Sequence, residues 1–309
     1  MTFNAKLATA SLILAAVLAG CSPAGDSKPD AAATAAPTVP AVADIHNFRI
    51  GALEAVALKD GGLDVPNDNK TLGLGHTPEE VAAVLTAAAL PADPIHLSID
   101  PLLVRDGDHT VLIDTGAGGA MGTEGKLLQS LASAGVEPGQ VTDILISHGH
   151  GDHVGGLVDA AGALRFPAAT IRISAAEWAA LKGDTAMASL VRAITPRVKT
   201  FTPGEVVAPN ITAVDIPGHT AGHTGFEIAS GDERLLYIGD AMHHSVISVQ
   251  RPEWPIAFDG DSTIAIASRQ ALLQRAASQN LRLYAVHFPF PGLGHIKREG
   301  DGFIWVPEA

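Results

Sequence analysis

The densest chemistry in the chain is the run Ser147-His148-Gly149-His150-Gly151-Asp152-His153. It packs three imidazoles and a carboxylate into six consecutive positions. Imidazole nitrogen and carboxylate oxygen together make a donor set for divalent transition metals. The intervening glycines let the backbone fold tightly enough for the ligands to converge. His148 and His150 can point to one ion while Asp152 and His153 reach a second. Three further candidates follow in order: Pro217-Gly218-His219-Thr220-Ala221-Gly222-His223, then Gly239-Asp240, then His287. A lone histidine after a strand is more commonly a hydrogen-bonded surface residue. A histidine-rich surface turn would not, however, be followed by this series.

The elements that must carry these residues alternate between strand and helix patterns. Phe48 to Val56 reads as a strand. Thr110 to Ile113 reads as a short apolar strand ending in Asp114-Thr115-Gly116, and Lys126 to Ala134 has helical spacing. Asp143 to Ser147 and Ile171 to Ser174 are strand candidates, and a helix is expected over Ala175 to Leu181. Ile211 to Ile216, Gly225 to Ala229 and Leu235 to Ile238 look like successive strands. Thr263 to Ala277 is the longest helical segment, and Leu283 to Val286 a late strand. Every candidate ligand therefore sits just after a strand, where a rigid element holds it and a loop gives it reach. The segment Asp64 to Asp93, with a helix expected over Pro78 to Ala89, is placed to form a lid or wall of a site. Sheets covered by helices, an α+β fold, are the architecture implied.

The N-terminus reads differently. Leu7 to Gly20 is apolar but too short for a bilayer span, which needs about 20 apolar residues. It fits a secretory signal, residues 1–20. Leu18-Ala19-Gly20-Cys21 resembles a bacterial lipobox, which implies cleavage before Cys21 and a lipid on its sulfur. Cys21 is the only cysteine in the chain, so it has no disulfide partner. Ser22 in the next position implies an outer-membrane address facing the periplasm. Residues 21–44 are Ala/Pro-rich and aperiodic, the composition of a disordered tether. Residues 45–309 form the expected globular domain. The chain carries 20 Lys+Arg against 33 Asp+Glu, a net charge of −13. With no basic patch to neutralise phosphates, a nucleic-acid partner is not expected.

The order HxHxDH, GHTxGH, GD and H resembles the metallo-β-lactamase superfamily over nearly all of Phe48 to Val306. The resemblance implies an αββα four-layer sandwich with the site at one edge of two sheets. It implies that His148, His150 and His219 bind one divalent ion and that Asp152, His153 and His287 bind another. Asp240 then bridges the pair, with zinc the expected metal. Asp114 matches the family's DTG turn and is expected to hydrogen-bond a ligand histidine. His219 is the implied ligand of its motif, and His223 has a supporting role.

Gly239 to His244, Ile256 to Asp259, and His287 to His295 look like the methyl-parathion-hydrolase-like, lactonase-like branch. That group hydrolyses lactones, aryl esters and organophosphate triesters. Acyl-homoserine lactonases often carry a Tyr three residues after the bridging Asp; here the position is His243. Glyoxalase II-like members add a C-terminal helical domain, for which little chain follows His287. The expected chemistry is attack by a metal-bridging hydroxide on an ester, lactone or phosphotriester, with Asp152 and Asp240 orienting the proton. His243 is expected to hydrogen-bond the substrate oxygen or leaving group. Trp178, Phe288 and Phe290 are candidates for the pocket wall, and His295 for support of a ligand. His244 and His109 are read as solvent-facing. A homodimer is expected by analogy with the family. Two other readings are a mononuclear iron sulfur-dioxygenase-like enzyme using His148, His150, His219 and Asp240, and a non-catalytic metal-binding lipoprotein.

Overall fold

The computed structural model describes residues 44–308. The expected export segment and the expected lipid site at Cys21 lie outside the described residues, as does the expected tether up to residue 43. In chain order the strands are β1 (Ile45–Ile50), β2 (Leu53–Leu58), β3 (Gly61–Val65), β4 (Ile95–Ile99), β5 (Leu102–Asp106), β6 (His109–Ile113), β7 (Asp143–Ile146) and β8 (Thr170–Ser174). They continue with β9 (Val198–Phe201), β10 (Val206–Ala208), β11 (Ile211–Asp215), β12 (Thr224–Ser230), β13 (Glu233–Tyr237), β14 (Arg282–Tyr284), β15 (Leu293–Glu299) and β16 (Gly302–Pro307). The helices are α1 (Pro78–Ala87), α2 (Leu127–Ser133), α3 (Gly151–Val154), α4 (Ala175–Gly183), α5 (Ala188–Ile194), α6 (Ile247–Gln250) and α7 (Ser262–Gln279).

Two seven-stranded sheets result, ordered β1-β2-β5-β6-β7-β8-β9 and β10-β11-β12-β13-β14-β15-β16, with β3-β4 as a separate hairpin. Side chains alternate across each strand. In β6, Val111 and Ile113 face the core between the sheets, while Leu112 joins Leu127 and Leu131 of α2 on the outer face. In β13, Leu235 and Tyr237 face the same inter-sheet core, while Leu236 packs with Leu272 and Leu273 of α7. Each sheet thus has an apolar layer on both faces, which is the αββα sandwich. It also explains why the interior strands read as unbroken apolar runs, such as the four buried residues of β7.

The expected strand over Phe48 to Val56 is two strands. Gly51 (φ 55°) turns the chain, and β1 pairs antiparallel with β2 from Ile45↔Leu58 to Ile50↔Leu53. A left-handed backbone suits glycine at this point. The region Asp64 to Asp93 does contain the expected helix. Thr77 and Glu80 form a reciprocal capping box around the start of α1, with Pro78 in its first turn. That helix, the β3–β4 hairpin, Trp254 and Ile256 share a separate apolar cluster beside the sandwich.

Parallel pairing sets the functional edge. β6, β7, β8 and β9 run parallel, as do β13 and β14. Their C-terminal ends, with the β11–β12 connection, open on one rim. Ligands in α/β proteins gather beyond the carboxyl ends of such strands.

Candidate metal centre

Four loops meet on that rim. The turn after β7 carries His148 and His150 and enters α3 with Asp152 and His153. The β11–β12 connection carries His219, the turn after β13 carries Asp240, and the segment after β14 carries His287. Two donor groups form: His148, His150, His219 and Asp240, and separately Asp152, His153 and His287. Within each, the potential ligand atoms lie within 4.8 Å of one another.

The Asp240 carboxylate stands between the groups, one oxygen to each. Oδ2 is 3.6 Å from His148 Nε2 and 3.3 Å from His219 Nε2. Oδ1 is 3.1 Å from both His153 Nε2 and His287 Nε2. His219 Nε2 is also 3.2 Å from His148 Nε2 and 3.0 Å from His150 Nδ1. Asp152 Oδ2 is 3.6 Å from His153 Nε2 and from His287 Nε2.

The opposite ring nitrogens are pinned by groups that can only accept a proton. His153 Nδ1 donates to Asp114 Oδ2 at 2.7 Å, and His287 Nδ1 to the Ser98 carbonyl at 2.6 Å. His219 Nδ1 donates to Asp259 Oδ1 at 3.0 Å. Each neutral imidazole therefore turns a lone pair inward. His153 Nε2 and Asp240 Oδ1 are both buried and lack a hydrogen-bond partner among the described residues. Inward lone pairs facing an unpaired carboxylate oxygen fit a cation between them. The donor chemistry, nitrogen with carboxylate oxygen, suits zinc and its neighbours.

The electrostatics divide the two groups. Burial raises the Asp240 carboxyl, but His153, His287, His148 and His243 outweigh it and hold the group well below the usual carboxylate range. Burial lowers His148 well below its ordinary value, and lowers His219 to about 3. His153 and His287 go the other way: Asp240 and Asp152 overcome burial and raise both.

The supporting contacts include residues that sequence reasoning missed. Asp114, as expected, hydrogen-bonds His153; it also accepts from the Ser147 backbone and hydroxyl and from Tyr237 at 2.6 to 2.8 Å. Glu177 of α4 belongs to none of the sequence motifs. It is buried, and it accepts from Gly149 N (2.8 Å), Thr220 Oγ1 (2.7 Å) and Gly222 N (2.9 Å). One carboxylate thus braces the HxHxDH loop of one sheet against the GHTAGH loop of the other. Gly149 has no left-handed φ; a side chain there would meet Leu181 and Glu177. Ser98 holds His287 twice, since its N–H also donates to the His287 carbonyl at 3.1 Å.

His223 does not join the donor groups. Its Nδ1 donates to the Ile216 carbonyl at 2.8 Å and its Nε2 accepts from Asp240 N–H at 2.9 Å, so both nitrogens are engaged. His243 Nε2 is 3.2 Å from Asp240 Oδ2, and among the described residues neither of its ring nitrogens has a hydrogen-bond partner.

A cavity of about 410 Å³ opens over the centre. Leu63, Leu97, Met121, Ala257 and Phe258 line it, above His150, Asp152, Asp240, His243 and His287. The aromatic residues expected there lie elsewhere. Trp178 packs under the first sheet, Phe288 packs edge-on to Trp305 beneath the second, and Phe290 rests on the inter-sheet core. Trp178 and Phe288 are buried in apolar layers, and Phe290 is half-buried against one. His295 pairs with Glu308 at 3.2 Å and supports no ligand. His244 is buried rather than solvent-facing; its Nδ1 accepts from Val246 and Ile247 N–H, capping α6.

The metallo-β-lactamase superfamily model matches residues 97–287, and the chain belongs to that superfamily. AidC, a dizinc quorum-quenching lactonase solved with the product N-hexanoyl-L-homoserine, superposes with a TM-score of 0.82. It is 32% identical, over 86% of this chain and 97% of AidC. The hydrolase AbOPH superposes with a TM-score of 0.80 at 28% identity, over 87% of this chain and 98% of that one. Among curated proteins, a probable metallo-hydrolase of Mycobacterium tuberculosis is 25% identical over 197 residues, 52% of this chain. The match spans 62% of that relative's length.

Proposed function

We propose that the chain is a metal-dependent hydrolase that holds two divalent ions, zinc being the expected metal, and cleaves uncharged lactone, aryl ester or phosphotriester bonds. The carrying observation is the divided Asp240 carboxylate, one oxygen toward each of two donor groups, at the floor of an apolar pocket. His148, His150 and His219 would hold one ion, and Asp152, His153 and His287 the other. Two dications there would supply Lewis acidity toward a carbonyl or phosphoryl oxygen and an acidified water as nucleophile.

The chain's own residues do the rest. Asp114, Asp259 and the Ser98 carbonyl fix ligand tautomers before any substrate arrives. Asp152 and Asp240 are the carboxylates placed to orient a proton beside the reacting bond. His243, with two free nitrogens at the pocket floor, is placed to hydrogen-bond the substrate oxygen or the leaving group. Leu63, Leu97, Met121, Ala257 and Phe258 offer an apolar substituent a surface that excludes water. Among the described residues, no Lys or Arg lines this cavity. Two ions would attract an anion at the centre itself, but the apolar wall beyond them offers a charged substituent no countercharge, and burying an unpaired charge is costly. That favours neutral substrates, and the lactonase AidC and hydrolase AbOPH are neighbours of the kind expected.

The test is turnover of a panel by the zinc-reconstituted protein: γ- and δ-lactones, acyl-homoserine lactones, p-nitrophenyl esters and paraoxon-like triesters. At least one neutral class should be cleaved, with anionic analogues poor substrates. Full metal occupancy with no turnover on any of them would contradict an enzymatic role. We propose also that residues 1–20 direct export, that residues 21–44 tether the domain, and that Cys21 carries the lipid that fixes it to the outer membrane. Metabolic palmitate labelling should mark the wild type and not Cys21→Ser; equal labelling would refute the anchor. A homodimer is the proposed assembly, to be read from light scattering.

A further inference from the structure

Arg269 lies on α7 in the row Ala265, Arg269, Leu272, Leu273, Ala276 that faces the protein interior, and it is fully buried. Its Nε donates to the Ala241 carbonyl at 3.0 Å. Nη1 donates to the carbonyls of Pro252 at 3.0 Å and Trp254 at 3.2 Å. Nη2 donates to Asp259 Oδ2 at 3.0 Å. The other oxygen of Asp259 is the one that accepts from His219 Nδ1. Ala241 directly follows Asp240, and Ala257 and Phe258 of the pocket wall directly precede Asp259. One side chain is therefore bonded to the backbone beside Asp240, to the carboxylate behind His219, and to the segment leading into the pocket wall.

Packing does not account for a charge here. An apolar side chain of similar volume serves stability as well as a buried ion pair, or better, because both ions must be stripped of water. What an apolar side chain lacks is a rigid fork of donors that can hold a carboxylate and several carbonyls at fixed separations. Asp259 also gains from the pairing. Its two oxygens are divided, Oδ2 accepting from Arg269 Nη2 and Oδ1 from His219 Nδ1, so the guanidinium holds the carboxylate in place behind the imidazole. A carboxylate in that position fixes the ring and strengthens its inward nitrogen as a donor.

We propose that Arg269 is a positioning residue for the metal centre. Through Asp259 and the Ala241 carbonyl it sets the spacing of His219 and Asp240, and with it the affinity of the His148–His150–His219 group for its ion. It acts less on the Asp152–His153–His287 group, whose outer contacts run to Asp114 and Ser98 instead. This rests on the dinuclear reading above.

The test is stepwise Zn2+ titration of the full chain, stripped by chelator, with a competing chelator resolving two binding constants. Wild type should show two, and an absence of binding would overturn the metal reading itself. Arg269→Lys keeps the charge but not the fork. It should weaken one constant about 10-fold, within the range known for contacts behind metal ligands, and leave the other within about twofold. Asp259→Asn should weaken the same constant. The double variant should fall short of the product of the two single losses, because both act through one hydrogen-bonded chain. Two constants unchanged in Arg269→Lys, or both weakened equally alongside a lower melting temperature, would overturn the assignment and leave a purely structural arginine. If Arg269→Lys does not fold, Asp259→Asn decides alone: a selective loss supports the chain, and unchanged constants refute it.

Discussion

Glu177 offers a sharp test of how the two halves of the centre are held. Replacing it by alanine removes one acceptor from three donors: the buried Gly149 N–H, the half-buried Thr220 hydroxyl and the half-buried Gly222 N–H. A hydrogen bond to a charged acceptor is worth about 1.5–3 kcal/mol, and a buried donor left bare forfeits that fully. The two half-buried donors can turn to water, so each loses about 0.5–1 kcal/mol. The sum is about 2.5–5 kcal/mol, which for a domain of this size lowers Tm by roughly 5–20 °C. Stability alone would not single out the centre. Because Gly149 lies between His148 and His150, and Thr220 beside His219, loss of the brace should also weaken zinc binding about 10- to 100-fold. Glu177→Gln should fall between. Its oxygen can still serve Gly149, but its amide nitrogen meets the Gly222 N–H donor to donor. The assays are thermal unfolding in the metal-free protein and chelator competition in the loaded one. Glu177→Ala with zinc affinity within twofold of wild type would refute the bracing role, whatever happened to Tm.

Three further outcomes follow from particular contacts. His243→Ala should lower kcat by about 10²-fold, the low end for a proton-handling or hydrogen-bonding side chain, with metal content by mass spectrometry unchanged; undiminished kcat would exclude the role. Phe258→Ala removes a partly exposed side chain at the pocket. It should raise KM for apolar substrates several-fold with kcat nearly constant, the pattern of lost uniform binding; an equal fall in kcat would contradict it. Asp100 is fully buried, neither carboxyl oxygen has a partner, and burial raises its pKa well above the ordinary value. Its ionisation opposes folding, so the stability present at acid pH is lost as pH rises from about 3.8, the ordinary value, toward the raised one. Asp100→Asn should therefore add on the order of 1 kcal/mol at pH 7 and nothing at pH 3, read by denaturant melts at both; destabilisation at pH 7 would overturn this.

The convergence of the donor loops was legible because their chemistry is local. His148 to His153 declare themselves within one turn, and His219, Asp240 and His287 each follow a strand whose apolar pattern is plain. The residues that hold them are not local. Glu177 acts across 28 and 45 positions, Ser98 across 189, and no spacing rule reaches that far. Arg269 did carry a signal. An arginine in the row of Ala265, Leu272 and Leu273 breaks the apolar stripe of α7, and a charge on a core-facing position asks for a buried partner. Asp259 sat inside a segment already noted, but nothing in it pointed to His219. The strand expected over Phe48 to Val56 is two for a simpler reason: Gly51, inside that apolar run, turns the chain. The aromatic wall failed because Trp178, Phe288 and Phe290 had better places to bury themselves, while aliphatic Leu63 and Leu97 reached the pocket from a hairpin whose pairing spans more than thirty residues.

The most direct measurement of the central claim is anomalous diffraction at the zinc edge from crystals of the reconstituted protein. Two peaks about 3.5–4 Å apart, one on each side of the Asp240 carboxylate, are expected, with His148, His150 and His219 around one and Asp152, His153 and His287 around the other. A single peak, or two that do not share Asp240, would contradict a bridged dinuclear centre.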